Sequence, residues 1–523
     1  MNAPLARLVL GCAAALLMLF ADIAVAGAAG VPPIGGKWSQ PAILSDCPGS
    51  GAPHVVFPED TPTHGTGPGA IVWSVTAPCP SAAGAGVLVA PLSAGDLPEQ
   101  PATPRTATGA TIALRGPVSA TGGPHGHIVI AAASVGEAEP GPAKNGKRAP
   151  VNGRATPGTG QRTQGEKNAS AGGRETRDGE LALSEGSAGG PFAAPLALGG
   201  PASTFSFATA YLGDAALASL ADPHGRTDLQ LRVQRFYASA FAPPAIVSAA
   251  GVGGNVKAGG NAKAGGKAGT DSIEALTVAL DFRSDRLVVF SRQESLYARE
   301  LPGKGAPHAT QRLGPSPPAG ARIAAVISDD DRAIVAWTVR HGGQTGVYVS
   351  HSQPGVRFTE PQLLEEFPDP PDLPGYVDSP QLIRLSSESV ILAWTGAVAG
   401  HWAIRAAAID QRGVLPPSTI SPVGRDALLA DIAPGPNDEA LALWSEPQPT
   451  AAGLDLGEQA IFAARGFDGY PEQVKFAAPE LLAPPGPNSD ATVAFDPDSD
   501  RAVAAWRTGA GALAYAIRAP GAP

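Results

Sequence analysis

Apolar residues along most of the chain come in short continuous runs, each closed by a polar turn, and no segment keeps a 3.6-residue period for three turns. The clearest runs share an ending: Arg332-Ala333-Ile334-Val335-Ala336-Trp337, Ser389-Val390-Ile391-Leu392-Ala393-Trp394, Ala440-Leu441-Ala442-Leu443-Trp444 and Arg501-Ala502-Val503-Ala504-Ala505-Trp506. Their tryptophans stand 57, 50 and 62 residues apart, a period that belongs to propeller blades or helical solenoids. The residues decide between the two. Each unit opens with a short apolar run (Ile323 to Val326, Gln381 to Ile383, Ala491 to Phe495) and passes a turn of Asp, Ser or Gly to the Ala-Trp strand. A third run follows, such as Gly346-Val347-Tyr348-Val349 or Ala514-Tyr515-Ala516-Ile517, and then a fourth segment with Pro, as in Glu360-Pro361-Gln362-Leu363-Leu364. Four short strands divided by turns make a blade. Unbroken apolar runs suit a sheet covered on both faces, as stacked blades are. One Trp per repeat is then expected to pack between blades.

Weaker copies extend the pattern toward the N-terminus. Asp285 to Phe290 replaces Trp with Phe, Gly213 to Ala218 ends without an aromatic, His127 to Ala131 is fainter still, and Gly69 to Trp73 restores the Trp. The last unit ends after its third strand at Arg518, and the missing fourth is sought at the other end of the chain. There, Trp38-Ser39-Gln40-Pro41-Ala42-Ile43-Leu44 is similar to Phe358-Thr359-Glu360-Pro361-Gln362-Leu363-Leu364. The expected fold is therefore all-β: a single β-propeller over 36–518, of about eight four-stranded blades with seven as the alternative, its ring closed by an N-terminal strand. Closure removes the sheet edges that an open array would expose.

Two stretches interrupt the rhythm. Residues 136–178 hold almost no large apolar side chain and are expected to be a disordered insertion within the propeller. Residues 251–270, a Gly/Lys/Ala stutter, read as a flexible linker loop. In a four-stranded blade, loops joining strands two and three emerge on the same face as loops joining one blade to the next. Both insertions fall in such loops, as do Cys47, after the latch strand, and Cys79, after the Trp73 strand. A Cys47–Cys79 disulfide is expected on that face, two buried free thiols being the alternative.

Composition and charge narrow the function class. Gly 65 and Pro 54 exceed a fifth of the 523 residues, as a chain of many short strands and turns requires. A formal net charge of −10 argues against a nucleic-acid partner, which calls for clustered Lys and Arg. Residues 1–26 read as a signal peptide: Arg7 precedes an apolar run over Leu8 to Ala26 that ends in Ala24-Val25-Ala26. A lipoprotein at Cys12 and an uncleaved signal anchor are the weaker alternatives, because the run continues past Cys12 and Asp22 interrupts it. No later stretch is long and apolar enough to form a transmembrane helix. The expected product is a secreted, monomeric protein of bacterial export.

Several motifs fail on inspection. Gly141-Pro142-Ala143-Lys144-Asn145-Gly146-Lys147 begins like a phosphate loop, but Arg148 stands where Ser or Thr should be. His125 and His127 lack a third ligand nearby. Asp496, Asp498 and Asp500 alternate as calcium ligands can, yet they occupy a turn where Asp is favoured in any case. No metal site, cofactor or catalytic residue is assigned.

The Ala-Trp strand and its preceding turn resemble secreted bacterial β-propeller repeat proteins, broadly sialidase-like or WD40-like. The Ser-x-Asp-x-Gly-x-Thr-Trp box of sialidase-type propellers is not found, so the resemblance implies fold more than activity. Polar residues following the Trp strands, Arg340, His341, His401, Glu446 and Arg507, are the candidates for a ligand face. The expected function is an extracellular binding or scaffold protein that offers this face to a glycan or protein. The alternative is a glycoside hydrolase, sialidase-like, working in the central depression with two carboxylates and an arginine cluster.

Overall fold

A computed structural model of the chain is all-β and describes most residues from 36 to 519. Segments 1–35, 59–68, 80–85, 135–179, 221–227, 235–244, 249–272 and 369–379 and several shorter loops lie outside the described residues. The expected signal peptide and both expected insertions lie in these segments, outside the described residues.

The described strands form eight antiparallel sheets, each one blade. The innermost strands, for blades 1 to 8, are His54–Val56, Leu114–Gly122, Phe205–Thr209, Ile273–Leu280, Ala324–Ile327, Gln381–Arg384, Leu428–Pro434 and Ser489–Phe495. Each packs on the next, and the last packs on the first. The ring is closed at eight blades, and the alternative of seven is set aside. Both faint repeats are true second strands, Ile128–Ser134 in blade 2 and Ala215–Leu220 in blade 3.

Closure uses the N-terminus as expected. Ala42–Ser45 pairs antiparallel with Ala512–Arg518, with Ala42 opposite Tyr515, and so forms the outer strand of blade 8. Ser39 extends the latch: its backbone N–H donates to the Ile517 carbonyl at 2.7 Å, and the Ile517 N–H donates to the Ser39 hydroxyl at 3.0 Å. Not every blade has four full strands. Among the described residues blade 1 has three, and its outer position is held by a bridge between Val89 and Ala102. In blades 6 and 7 the outer strand is split into two pieces that pair with the same third strand.

The tryptophans are the hubs of packing. Trp73, Trp337, Trp394, Trp444 and Trp506 are all essentially fully buried, and each joins a cluster that includes the preceding blade. Trp444 sits with Ile391 and Ile404 of blade 6, for example, and Phe290 holds the same place against Ala216 and Ala218 of blade 3. Across the hairpin the register often brings a second aromatic: Trp337 stacks on Tyr348 at 5.9 Å and Trp444 on Phe462 at 6.0 Å. The many alanines beside these rings, such as Ala336, Ala393 and Ala442, let neighbouring sheets approach closely.

Cys47 and Cys79 are joined by a disulfide. It ties the segment after the latch strand to the segment after the Trp73 strand, and so fastens blade 8 to blade 1 where the chain's two ends meet. Replacing both cysteines by serine is expected to lower stability by about 2–4 kcal/mol, since the crosslink restricts the unfolded chain. Urea denaturation of the oxidised protein against the double variant measures it, and coincident midpoints would contradict it.

Candidate functional site

The loops between second and third strands share a face with the loops between blades, and all five sequence candidates lie at that face. Arg340 and His341 end the second strand of blade 5, just before the Gly342-Gly343 turn, whose residues take φ of 61° and 79°. Such a two-residue turn needs left-handed backbone, which glycine supplies without strain. Both side chains are exposed. His401 opens the third strand of blade 6. Glu446 lies two residues past Trp444 in the second strand of blade 7, Glu439–Thr450. Arg507 follows Trp506 in blade 8, where its guanidinium pairs with Asp490 and donates to the Ser50 carbonyl at 3.3 Å.

Two of the five are drawn together at the seam of blades 6 and 7 by residues that were not singled out in the sequence. The loop between these blades carries Arg425 and Asp426. The Asp426 carboxylate accepts from the Trp402 backbone N–H at 2.9 Å and lies 3.4 Å from the His401 ring. Arg425 approaches Glu446 at 3.6 Å while its own side chain is 64% exposed. Glu446 is nearly buried and also accepts from the Trp444 indole N–H at 3.3 Å. Burial pushes the Glu446 carboxyl above its ordinary range, against the opposing pull of Trp444 and Arg425. The result is a polar patch with a solvent-facing guanidinium and imidazole above a retained carboxylate. Beside it stands a long hairpin, Glu439–Thr450 with Gly453–Phe467, longer than the second and third strands of the other blades. The available signal was topological: a between-blade loop belongs to the same face as the Trp-strand loops.

On the central wall, polar groups of blades 6, 7 and 8 engage one another across blade boundaries. Asp431, on the innermost strand of blade 7, accepts from Thr492 Oγ1 at 2.7 Å and from the Val493 N–H at 2.9 Å in blade 8. Gln381 of blade 6 brackets blade 7, donating to the Ala430 carbonyl at 3.0 Å and accepting from the Ile432 N–H at 3.1 Å. Burial raises the Asp431 carboxyl, and its hydrogen bonds from Val493, Thr492 and Ile432 pull it back. Asp431 therefore serves as a fastener between blades.

His54, on the innermost strand of blade 1, is pulled below the ordinary histidine value by burial, with Arg322 adding in the same direction and a hydrogen bond to the Val118 backbone opposing. His351 is shifted the same way by burial and by Arg332. A histidine harder to protonate in the folded state adds stability that is complete above its unfolded pKa. That stability is lost as pH falls from about 6.5 toward the lowered folded value. The melting temperature is accordingly expected to fall on acidification through this window, and His54→Gln to flatten part of the fall. A pH profile unchanged by the substitution would remove His54 as a cause.

A separate cavity of about 250 Å³ opens at the rim between blades 4 and 5, lined in part by Glu300, His308, Gln311 and Arg357. Its polar groups largely pair with one another: His308 Nδ1 lies 2.8 Å from Glu300, and Gln311 clamps the Phe358 backbone through both amide atoms.

By sequence, no family model and no curated protein matches the chain. Solved structures align with it at low identity. A polysaccharide lyase of family PL25, an ulvan lyase with a bound saccharide, aligns over 92% of this chain and 95% of its own, at 12% identity and a TM-score of 0.43. An α-L-arabinanase of Penicillium chrysogenum in complex with arabinobiose aligns over 47% of this chain and 93% of its own, at 8% identity and a TM-score of 0.30. The Aleuria aurantia lectin with α-methyl-L-fucoside aligns over 59% and 90%, at 11% identity and a TM-score of 0.28.

Proposed function

We propose that the chain is an exported binding protein that presents the face of its second-to-third-strand and between-blade loops to a glycan or protein ligand, with contact centred on the seam of blades 6 and 7. The observation that carries this reading is the juxtaposition of Arg425, Asp426, His401 and Glu446, in which an exposed guanidinium and imidazole face solvent while the two carboxylates behind them are largely buried. Saccharide hydroxyls, which both donate and accept, are matched by such a set, and specificity comes from a few placed polar groups on a firm frame. The disulfide suits an oxidising compartment. No helix among the described residues is long and apolar enough to cross a membrane.

Hydrolysis is the second reading, and Glu446 is the observation in its favour. A carboxyl raised by burial, with the ionisable Asp426 in the adjoining loop, is the kind of pair that acid–base cleavage of a glycoside uses. A reaction in the central depression has less behind it, because Asp431 is held by three hydrogen bonds within the wall.

A glycan array followed by calorimetry on the strongest hit tests the reading. Arg425→Ala and Glu446→Ala are expected to weaken binding tenfold or more, about 1.4 kcal/mol or greater, while Arg340→Ala on blade 5 has a smaller effect. Turnover of fluorogenic glycosides that is lost in Glu446→Gln would install the hydrolase reading. Binding to a protein bait and to no saccharide would move the ligand class, and silence in all three assays would sink the proposal.

A further inference from the structure

On the face opposite the seam, the turns leaving the innermost strands of blades 4 and 5 bring three carboxylates together. Asp281 and Asp285 flank the first turn and Asp331 sits in the second, and one oxygen from each lies within 4.8 Å of the others. Acidic clusters are common on protein surfaces, but the state of the individual oxygens distinguishes this one. Asp281 is wholly buried, and its Oδ1 accepts from the backbone N–H groups of Arg283 at 2.9 Å and Asp285 at 2.7 Å. Its Oδ2 is buried and has no hydrogen-bond partner among the described residues. Asp331 repeats the situation: Oδ2 pairs with the Arg283 guanidinium, while Oδ1 is buried without a hydrogen-bond partner among the described residues. Asp285 Oδ1 accepts from the Gly303 N–H at 2.5 Å.

Asp281 and Asp331 thus each hold a carboxylate oxygen out of water and without a donor among the described residues, which is costly. A buried charge is ordinarily paired or bound to metal. Charge points the same way. Among the described residues of the cluster, three carboxylates against the guanidinium of Arg283 leave two negative charges, the complement of a divalent cation. The neighbouring Asp330 does not alter the count, since Arg332 pairs with it at 2.6 Å. Hard carboxylate oxygens select calcium or magnesium over softer metals. Oxygens spread over 4.8 Å can share an ion that reaches its ligands at about 2.4 Å, as calcium does, more readily than the tighter octahedron of magnesium at about 2.1 Å.

We propose that Asp281, Asp285 and Asp331 bind a calcium ion that fastens blade 4 to blade 5. The remaining ligands would be water or backbone carbonyls of the turns. The ring would then have a fastener on each face: the disulfide at the junction of blades 8 and 1, and the ion at the junction of blades 4 and 5. Neither fastener is near the seam of blades 6 and 7 in chain order, so the inference stands apart from the proposed function.

The test uses the oxidised full chain, freed of metal by a chelator and dialysed at neutral pH. Calcium titrated to about 1 mM, the range of extracellular calcium modules, is expected to raise the melting temperature by several degrees in a saturable way. Calorimetry should give one site per chain, and magnesium should act more weakly. Asp281→Asn and Asp331→Asn, each nearly isosteric, should abolish the calcium response, with circular dichroism in chelator showing the same strand content as the parent. A response kept in both variants would place the ion elsewhere and overturn the assignment. So would a parent indifferent to calcium together with an Asp281→Asn variant more stable than it, because a shared proton would then be what satisfies the buried oxygens.

Discussion

Trp394→Ala is expected to destabilise the protein by about 3–5 kcal/mol, among the largest effects of any single substitution in the ring. The indole is fully buried between blades 5 and 6, among Ile334, Ala336 and Val347 on one side and Leu392 and Ala407 on the other. Two β-sheets locked into a closed ring cannot collapse onto the space, so most of the cavity persists and its cost with it. A second contribution is polar. The Trp394 Nε1–H donates to Glu365 at 2.6 Å, and that carboxylate, on the outer strand of blade 5, is otherwise met by Arg405 at 3.4 Å. Trp394→Phe separates the two terms, because it keeps most of the ring volume and removes the donor. It is expected to cost about 1–3 kcal/mol through the carboxylate left short of a partner. Trp337 is the control: equally buried, its Nε1 has no hydrogen-bond partner, so Trp337→Phe should cost less than Trp394→Phe. Chemical denaturation of the three variants gives the comparison, and equal losses for the two phenylalanine variants would show that Glu365 contributes nothing.

Why the ring was legible and the site only half so follows from what each demands of sequence. A strand covered on both faces must be apolar at every position, and eight such strands in series leave a periodic trace that even Ala215–Leu220, with no aromatic, preserves. The N-terminal latch was legible because the last unit visibly lacked a strand. The outer strand of blade 1 was not, since a bridge at Ala102 requires no particular residue. At the seam, His401 and Glu446 could be named from their places after the Trp strands. Their partners Arg425 and Asp426 lie in a between-blade loop whose polar residues look like those of any other loop. Asp431 did leave a signal, a charge inside the apolar run Leu428-Leu429-Ala430-Asp431-Ile432, and its role became plain only when blade 8 supplied Thr492 and Val493. The three carboxylates of blades 4 and 5 were hidden for a related reason. Spacing drew attention to Asp496, Asp498 and Asp500 within one turn, but Asp498 and Asp500 lie outside the described residues, and Asp496 pairs with Arg501 at 3.1 Å. The structural cluster instead combines two turns from different repeats, which no local spacing encodes.

Glu439→Ala is the other substitution with a large expected effect, about 3–5 kcal/mol, and its value lies in what it leaves untouched. Glu439 begins the second strand of blade 7 and pairs with Arg465 near the end of the third, both side chains only 4% and 6% exposed. Removing the carboxylate strands a guanidinium out of reach of water, a penalty larger than the net worth of the pair itself. The double variant Glu439→Leu with Arg465→Met removes both charges and should recover most of the loss, since an apolar pair of similar volume requires no desolvation of ions. Glu446 lies on the same strand as Glu439, at the end facing the opposite side of the disc. The two glutamates thus separate scaffold from site along one strand. The Glu439 variants should shift the denaturation midpoint and leave ligand affinity at the seam of blades 6 and 7 unchanged, measured where the protein remains folded. Glu446→Ala should do the reverse, weakening binding with a smaller change in stability. If Glu439→Ala weakened binding as much as Glu446→Ala in the folded range, the two ends of the strand would be coupled, and the face could not be treated as a rigid platform for its ligand.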